Sequence, residues 1–341
     1  MQQQLTREML LSRPVEHVDI KAYDVRPWVQ AMGRTAFQAR ALARAAELYD
    51  AMLREEGGGV ILCLAGSLVS AGLRQVLVDL VKHRMVDAIV STGANIVDQD
   101  FFEALGFRHY QGSPRLDDDT LRELRIDRIY DTLIDEDSLR VCDHTVAAIA
   151  NELEPRPWSS REFISEMGAW LVRQGRGEGS LVRTARELGV PIFCPAFSDS
   201  SAGFGLVLHQ WGRKACLSLD SAKDFLELTK VKLAVRESGL LMVGGGVPKN
   251  FAQDTVVAAE LLGRQVPMHK YAVQLTVADE RDGGLSGSTL REASSWGKVD
   301  TACEQMVFGE ATLTLPMVAG YAFHQRNWER RPGLRLAEAL D

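Results

Sequence analysis

Short unbroken apolar runs alternate with longer stretches of helical spacing through most of this chain. Val60–Leu64 is one such run and predicts a buried strand. From Ser70 to His83 the apolar positions Leu73, Val76, Leu77, Leu80 and Val81 recur at the three- and four-residue intervals of one helix face. Val86–Val90 predicts a second strand, followed by the loop Ser91–Ala94. Strand, helix and strand within about 30 residues make a βαβ unit, whose strands run parallel.

The alternation returns downstream. Val190–Pro195 is predicted as a strand that opens into a loop over 196–205, and Ser221–Ser238 as a helix. Leu240–Val243 predicts a strand, Gly244–Gly246 a turn, and Asn250–Leu262 a helix. Tyr271–Val277 is a further strand, and Glu310–Phe323 a helix bent at Pro316. Before all of these, Thr35–Arg54 reads as an amphipathic helix closed by Gly57–Gly59. The first 30 residues or so, with Pro14 and Pro27, show little periodicity and are expected as an arm on the body or on a neighbouring subunit. The charged stretch 117–137 is expected to be a solvated insertion. With no internal repeat and no low-complexity linker, the pattern predicts one α/β domain over 1–341 with a mainly parallel sheet flanked by helices.

Composition narrows the class. Hydrophobic residues make up 46% and charged residues 25%, enough apolar material for a sizeable core. The formal net charge of −7 argues against a nucleic-acid partner and suits cationic ligands. The cysteines Cys63, Cys142, Cys194, Cys216 and Cys303 are scattered and form no CxxC pair, so neither a disulfide framework nor a zinc site is expected. No apolar run is long enough to cross a bilayer, and MQQQLTREML has no secretory apolar region. The expectation is a soluble cytoplasmic protein with no membrane partner and no metal.

In sheets of this kind ligands bind beyond the carboxyl ends of the strands. Small or polar residues fall there repeatedly: Gly66–Ser67, Thr92–Gly93–Ala94, Ser198–Ser201, Gly244–Gly246 and Asp282–Gly284. Such loops let a backbone approach a phosphate closely. No GxGxxG fingerprint follows the first strand and no Walker A motif is present, and strand-to-helix turns need glycine for their own geometry. On this pattern a dinucleotide site and a purely structural turn both stand. The segment Ser286–Lys298 leaves a similar choice. Lysine usually lies at the surface. A lysine beside the wall of Trp296 could instead supply a neutral amine to an imine, with the ring stacked on a cationic substrate.

Here the chain resembles a known family. Ser294–Ser295–Trp296–Gly297–Lys298 is similar to the active-site segment of deoxyhypusine synthases. Gly66–Ser70 with Gly72–Arg74, His83 and Met85–Asp87 resembles the family's first cofactor loop, helix and strand. Thr92–Ala94 followed by Asp98–Asp100 resembles its second. Pro195–Asp199, Gly244–Lys249 and Phe308–Thr312 resemble its later loops, in the same order along the chain from about Tyr23 to Phe323. The resemblance implies a Rossmann-like fold, a homotetramer with sites at subunit interfaces, and NAD as an internal redox cofactor. It implies that Lys298 carries an aminobutyl group as an imine between two amines. It further implies cofactor contacts from Gly66, Ser67, Leu68, Thr92, Gly93, Ala94, Asp199, Gly245, Gly246, Glu310 and Ala311. Trp296 and Glu292 would meet the substrate.

The departures bear on substrate. One acid of the family's adjacent pair appears here as Gln99, another as Phe204 and a third as Leu285, while the family's proton-transfer histidine aligns with Asn250. A buried ammonium without a counter-charge costs several kcal/mol, so a pocket lacking these acids suits spermidine poorly. The flat, weakly hydrated guanidinium of agmatine suits Phe204, Leu285 and Gln99 better. The expected reaction joins two agmatines to 1,9-bis(guanidino)-5-aza-nonane with release of ammonia. The alternatives are deoxyhypusine or homospermidine synthesis from spermidine or putrescine, a non-catalytic NAD-binding protein, and a simple dehydrogenase. Candidate bases in place of the histidine are Lys298, Glu292 and water. Cys194 is expected to be a buried structural thiol. His144 and His209 lack metal-ligand spacing, and Trp158, Trp170, Trp211 and Trp328 are assigned to core or subunit contacts.

Overall fold

The computed structural model describes residues 5–340, so the first four residues of the predicted arm and the last residue of the chain lie outside it. Six strands form one parallel sheet: β1 Gly58–Leu64, β2 Ala88–Ser91, β3 Ile192–Phe193, β4 Glu237–Val243, β5 Tyr271–Thr276 and β6 Glu304–Phe308. Across the sheet they run β3-β2-β1-β4-β5-β6. Leu64, at the carboxyl end of β1, lies opposite Ser91 of β2 and Val243 of β4. The strand order reverses between β1 and β4, which is where a doubly wound sheet opens a crevice for ligands.

Every residue of β1 is buried because helices cover both faces. Alternation along the strands divides the core. Val60, Leu62 and Leu64 face the larger cluster, with helix α1 (Phe37–Arg54), helix α2 (Arg74–Lys82) and the C-terminal helix Ala311–Gln325. Ile61 and Cys63 face the other, with Leu228, Val231, Ala252, Leu290 and Ala293. That second face is covered by α4 (Ser221–Ala234), α5 (Gly246–Gln253) and α7 (Leu290–Ser295), and it carries the lysine segment. Two further helices complete the frame of the site: α3 (Ser201–Gln210) after β3, and α6 (Thr255–Leu261) after α5. The C-terminal helix, α8, runs through Pro316.

Several expectations need correction. The charged stretch is not a loose insertion. Asp118–Glu123 is helical, and Ile126–Ile129 and Thr132–Asp135 pair antiparallel in a small sheet with Tyr110–Gln111. Leu121, Ile126 and Leu133 turn inward and meet Leu10 from the arm, while the charges line the outside. The arm itself lies on its own chain: Val15 N–H donates to His109 O, and Val18 N–H to Gly72 O. The helix expected over 250–262 breaks at Asp254 into α5 and α6. β3 is only two residues long, and the loop after it becomes helical already at Ser201. Edge strand β6 and the helices Glu136–Glu152, Ser160–Arg173 and Leu181–Leu188 were not anticipated by the pattern.

Candidate active site

Two sets of residues converge on the carboxyl side of the sheet and on the face below it. The first is built from backbone. The loop after β1 (Gly66–Ser67–Leu68) and the loop after β2 (Thr92–Gly93–Ala94) are joined by Asn95, which is fully buried. The Asn95 side-chain oxygen accepts from Leu68 N–H at 2.8 Å, and its amide donates to Gly66 O at 2.8 Å and to Thr92 Oγ1 at 3.0 Å. Thr92 Oγ1 in turn donates to Gly66 O at 3.1 Å. Loop and loop are thus held in one arrangement by a side chain that satisfies groups the turns leave free. Gly66 (φ 74°) faces open space, so its backbone remains accessible to a ligand.

The loop after β4 is held in the same manner. Gln274 of β5, also fully buried, donates to Gly244 O and to Ser286 O, both at 3.0 Å. A Cβ on Gly245 would stand 2.5 Å from Ser286 Cα, so only glycine allows the triple-glycine loop to pass beneath the start of the lysine segment. Lys249, fully buried, fixes the other end of that crossing. Its ammonium donates to Ser288 O at 2.5 Å and Ser288 Oγ at 3.0 Å, and lies 3.4 Å from Leu285 O. Burial lowers the Lys249 ammonium to about 8, against the partial support of Glu292 nearby.

The second set is built from side chains. Lys298 Nζ lies 2.5 Å from Asp254 Oδ1 and 3.5 Å from Asn250 Oδ1. Asn250 Nδ2 donates to Asp254 Oδ2 at 2.8 Å, closing a three-membered ring of contacts. The Trp296 ring centroid is 5.3 Å from the ammonium, within cation–π range. The lysine side chain is 12% exposed and the aspartate 28%, while the tryptophan ring is 66% exposed. The chain therefore presents a nearly buried amine beneath an open aromatic wall.

The remaining predicted residues separate. Gly93 packs against Ser200, where a Cβ would meet Oγ at 2.5 Å, which brings exposed Asp199 to the second loop. Asp98 accepts from Ser201 N–H at 2.7 Å beside it, and burial together with Asp143 and Asp199 raises its carboxyl to about 7. Glu292 is exposed in the first turn of α7. Glu310 caps α8, accepting from Thr312 N–H at 2.9 Å, with Ala311 behind it. Glu310 and Asp199 follow strands at opposite edges of the sheet. Five strand spacings, about 24 Å, separate those edges. Phe204 is exposed on α3 and lies beneath Arg140 at 5.8 Å. Gln99 keeps its amide nitrogen buried without a hydrogen-bond partner among the described residues. It is fully buried, and its carbonyl oxygen accepts from Ser70 N–H at 2.8 Å, so it supports the turn after β1 from below. Two clefts of about 570 and 580 Å³ lie elsewhere, around Arg186 and Arg335 and around Arg54 and Arg331, and include neither Lys298 nor the glycine loops.

Asp254, Asn95 and Gln274 were missed by the sequence reading. For Asp254 a signal existed: it follows Asn250 by one helical turn, so both occupy one face. Some of the other residues singled out have defined surroundings. Cys194 is fully buried, and burial raises its thiol well above the ordinary range. His209 is structural, with Nδ1 2.7 Å from Asn151 Oδ1 and Nε2 accepting from Leu217 N–H. Trp328 stacks on Phe323, whereas Trp211 is exposed. No helix among the described residues is long and apolar enough to cross a membrane.

Comparison with known proteins places the chain in a family. The sequence model of the deoxyhypusine synthase family matches residues 28–322. A deoxyhypusine synthase-like protein of Chlorobaculum parvum is 62% identical over 333 residues, covering 97% of this chain and 95% of that protein. A protein of Methanosarcina mazei named "Probable deoxyhypusine synthase 2" is 42% identical, covering 95% of this chain and 96% of its own length. A crystal structure from Entamoeba histolytica, provisionally assigned as a deoxyhypusine synthase, shares the fold with a TM-score of 0.61 at 17% identity, over 91% of this chain and 97% of that one. The lysine segment, the glycine loops and a match over most of the length lead to one conclusion: this chain belongs to the deoxyhypusine synthase family, whose members are NAD-using transferases.

Proposed function

We propose that this chain joins two agmatines to 1,9-bis(guanidino)-5-aza-nonane with release of ammonia, through an imine on Lys298. The observation that carries the reading is the nearly buried Lys298 amine beneath the exposed Trp296 ring. Burial removes water that would hydrolyse a lysine-bound imine. The open ring offers a flat surface on which a guanidinium can stack. Charge supports agmatine over spermidine. Of the residues expected to meet substrate, Leu285 is apolar and Asn250 is neutral, Asp254 beside them is engaged by Lys298, and Glu292 is the acid that stays exposed. One carboxylate and a flat ring match one guanidinium better than the three ammonium groups of spermidine.

The loops fit NAD. Gly66 with its open face, the Asn95-locked loop after β2, and the Gly245 crossing at the sheet's reversal point provide a close backbone cradle for a pyrophosphate. Gly66, Ser67, Leu68, Thr92, Gly93, Ala94, Gly245 and Gly246 would hold it. When bound, NAD supplies reversible hydride removal from the carbon that bears the amine, which makes a poor electrophile a good one. Asp199 and Glu310 are too far apart across the sheet to meet one dinucleotide within a chain, so a neighbouring copy would bring its Glu310–Ala311 to this chain's Asp199. Exposed apolar residues lie near both edges: Phe204, Val207, Leu208 and Trp211 on α3, and Val277, Phe308 and Leu313 near Glu310. These patches support paired subunits within a homotetramer. In this reading the chain acts as one domain in the cytoplasm, where its free cysteines stay reduced.

The test is product analysis. Purified protein with NAD is incubated separately with agmatine, putrescine and spermidine, and products are followed by mass spectrometry alongside NADH absorbance. A bis-guanidino product from agmatine without NADH accumulation is expected. Product from spermidine alone, with 1,3-diaminopropane released, overturns agmatine as substrate. No product from any amine, despite cofactor binding, overturns the catalytic reading.

A further inference from the structure

We propose that Asp254 is the acid–base residue of the imine exchange at Lys298, and that Asn250 positions it. The inference rests on the assignment of Lys298 as the imine-forming residue. Imine exchange moves a proton between two nitrogens, and the amide of Asn250 beside Lys298 cannot exchange protons at neutral pH, so another group must move it. Three neighbours of Lys298 come into question besides Asp254. Asn250 is the amide itself. Lys249 is fully enclosed, its ammonium spent on Ser288 O, Ser288 Oγ and Leu285 O. Glu292 is exposed, and it lies by Lys249 without contacting Lys298. Among the described residues Asp254 is the titratable group that touches the reacting nitrogen, at 2.5 Å, and its second oxygen is held by Asn250 Nδ2 at 2.8 Å. That bond turns the carboxylate toward the lysine.

The backbone geometry is fixed from below. Asp254 sits at the break between α5 and α6, in a helical conformation of its own (φ −72°, ψ −7°). His269, fully buried, clamps both partners. Its backbone N–H donates to the Lys298 backbone O at 2.9 Å, and its ring Nε2 lies 3.1 Å from Ala252 O, two residues before Asp254. The tautomer follows from the chain of donors. Lys232 donates to Ser238 Oγ at 2.7 Å, so the Ser238 hydroxyl proton goes to His269 Nδ1 at 2.9 Å, and Nε2–H donates to Ala252 O. Burial keeps His269 neutral, pushing it down to about 3. His269 thus ties the backbone at Lys298, through its own N–H, to the end of α5, through its uncharged ring.

The step balances without any redox change. As the Lys298 nitrogen bonds to the carbon of a substrate imine, it loses a proton to Asp254. Asp254 returns that proton to the departing nitrogen, the carbon–nitrogen bond on that side breaks, and ammonia leaves. The lysine imine remains, and the carboxylate is regenerated for the reverse exchange with the second amine.

The experiment isolates this step from the cofactor. The full-length protein is mixed with 4-guanidinobutanal or with butanal in the presence of cyanoborohydride, and alkylation of the Lys298 peptide is timed by mass spectrometry. Lys298→Ala reports background at surface lysines. Removing general acid–base catalysis slows such steps by about 100- to 10,000-fold. That loss at Lys298 is expected in Asp254→Asn, with at least a tenfold recovery in Asp254→Ala on adding formate. Asp254→Glu, which retains the carboxylate, is expected to keep part of the rate and serves where the other variants do not fold. Fast labelling in the parent and equally fast labelling in Asp254→Asn overturns the role of Asp254 while leaving Lys298 as the imine residue. Slow labelling in Asp254→Asn with no rescue by formate overturns the acid–base role in favour of positioning alone. Labelling of the parent no faster than its surface lysines, with both aldehydes, overturns the lysine assignment itself and Asp254 with it.

Discussion

The glycine loops and the lysine segment are two ways of building a site, and they place their polar groups differently. At the loops the surface on offer is backbone, and the polar side chains Asn95, Gln274 and Lys249 are buried behind it as supports. At the lysine the surface on offer is side chains that remain at least partly open: Lys298, Asp254, Trp296 and Glu292. Buried supports contribute to stability, because removing one strands donors and acceptors away from water. Open side chains contribute to chemistry and little to folding. Mutations in the two regions should therefore move different observables.

The largest effect is expected at Lys298. Lys298→Ala should abolish product formation while NAD affinity, read by titration calorimetry, and Tm stay near those of the parent. Asp254 would lose its partner but is partly exposed and keeps its bond from Asn250. Substantial turnover in this variant would break the comparison at its strongest point.

Next is Asn95→Ala, which works in the opposite sense. It removes the acceptor of Leu68 N–H and the donor to Gly66 O and Thr92 Oγ1 inside the fold. The expected cost is about 2–3 kcal/mol in urea unfolding, together with weaker NAD binding as the two loops part. Unchanged stability would mean that the loops do not depend on their support.

The contrast also explains what could be read from the sequence. β1, β2, β4 and β5 are legible because parallel strands covered on both faces are continuous apolar runs. β6 is not, since Glu304–Phe308 lies at an edge and is mostly half-buried. Residues 117–137 mislead because their inward leucines and isoleucine meet Leu10, a pairing across the sequence that local charge hides. The glycine loops show as a pattern without saying what they bind. The lysine segment is recognisable as a motif, but Asp254 lies 44 positions before Lys298, and only the packing of α5 and α6 beside α7 brings them together. For Gln99, alignment gives a position in the chain and says nothing of the support its side chain lends to Ser70 N–H.

A smaller effect is expected from Leu285→Asp, which adds an acid at the mouth of the lysine side. A partly exposed pair contributes at most about 1 kcal/mol, so kcat/KM for spermidine should rise relative to agmatine by about 5-fold. The loop itself should hold, because Lys249 contacts the Leu285 carbonyl and not its side chain. A preference that does not move would show that substrate charge is read elsewhere, and would move attention to the α3 side, where Phe204 lies.

The smallest effect concerns pH and the loop side alone. Asp98 carries a carboxyl raised to about 7, first by burial and then by Asp143 and Asp199, against the N–H of Ser201 that favours its ionised form. A raised folded value means that the folded chain holds the proton more tightly than the unfolded one. The stability this group contributes is complete below the ordinary carboxylate value of about 4 and is lost as pH rises through about 7. Urea unfolding between pH 4 and pH 8 should therefore show the parent losing stability relative to Asp98→Asn as pH rises, because the variant keeps an acceptor for Ser201 N–H but does not ionise, while buried His269, held down to about 3, bends both curves in the opposite direction. Asp224, raised to about 7, and Asp100, raised to about 6, bend both curves in the same direction as Asp98, so the difference between the two proteins is the observable. Lys298 labelling by an aldehyde should be unaffected by the Asp98 substitution, because this carboxyl supports the edge of the loop region and has no contact with the lysine. A change in that labelling rate would mean that the two regions are mechanically coupled, and the division between backbone support and side-chain chemistry would have to be redrawn along the path joining Gly93, Gly66, Gly244 and Ser286.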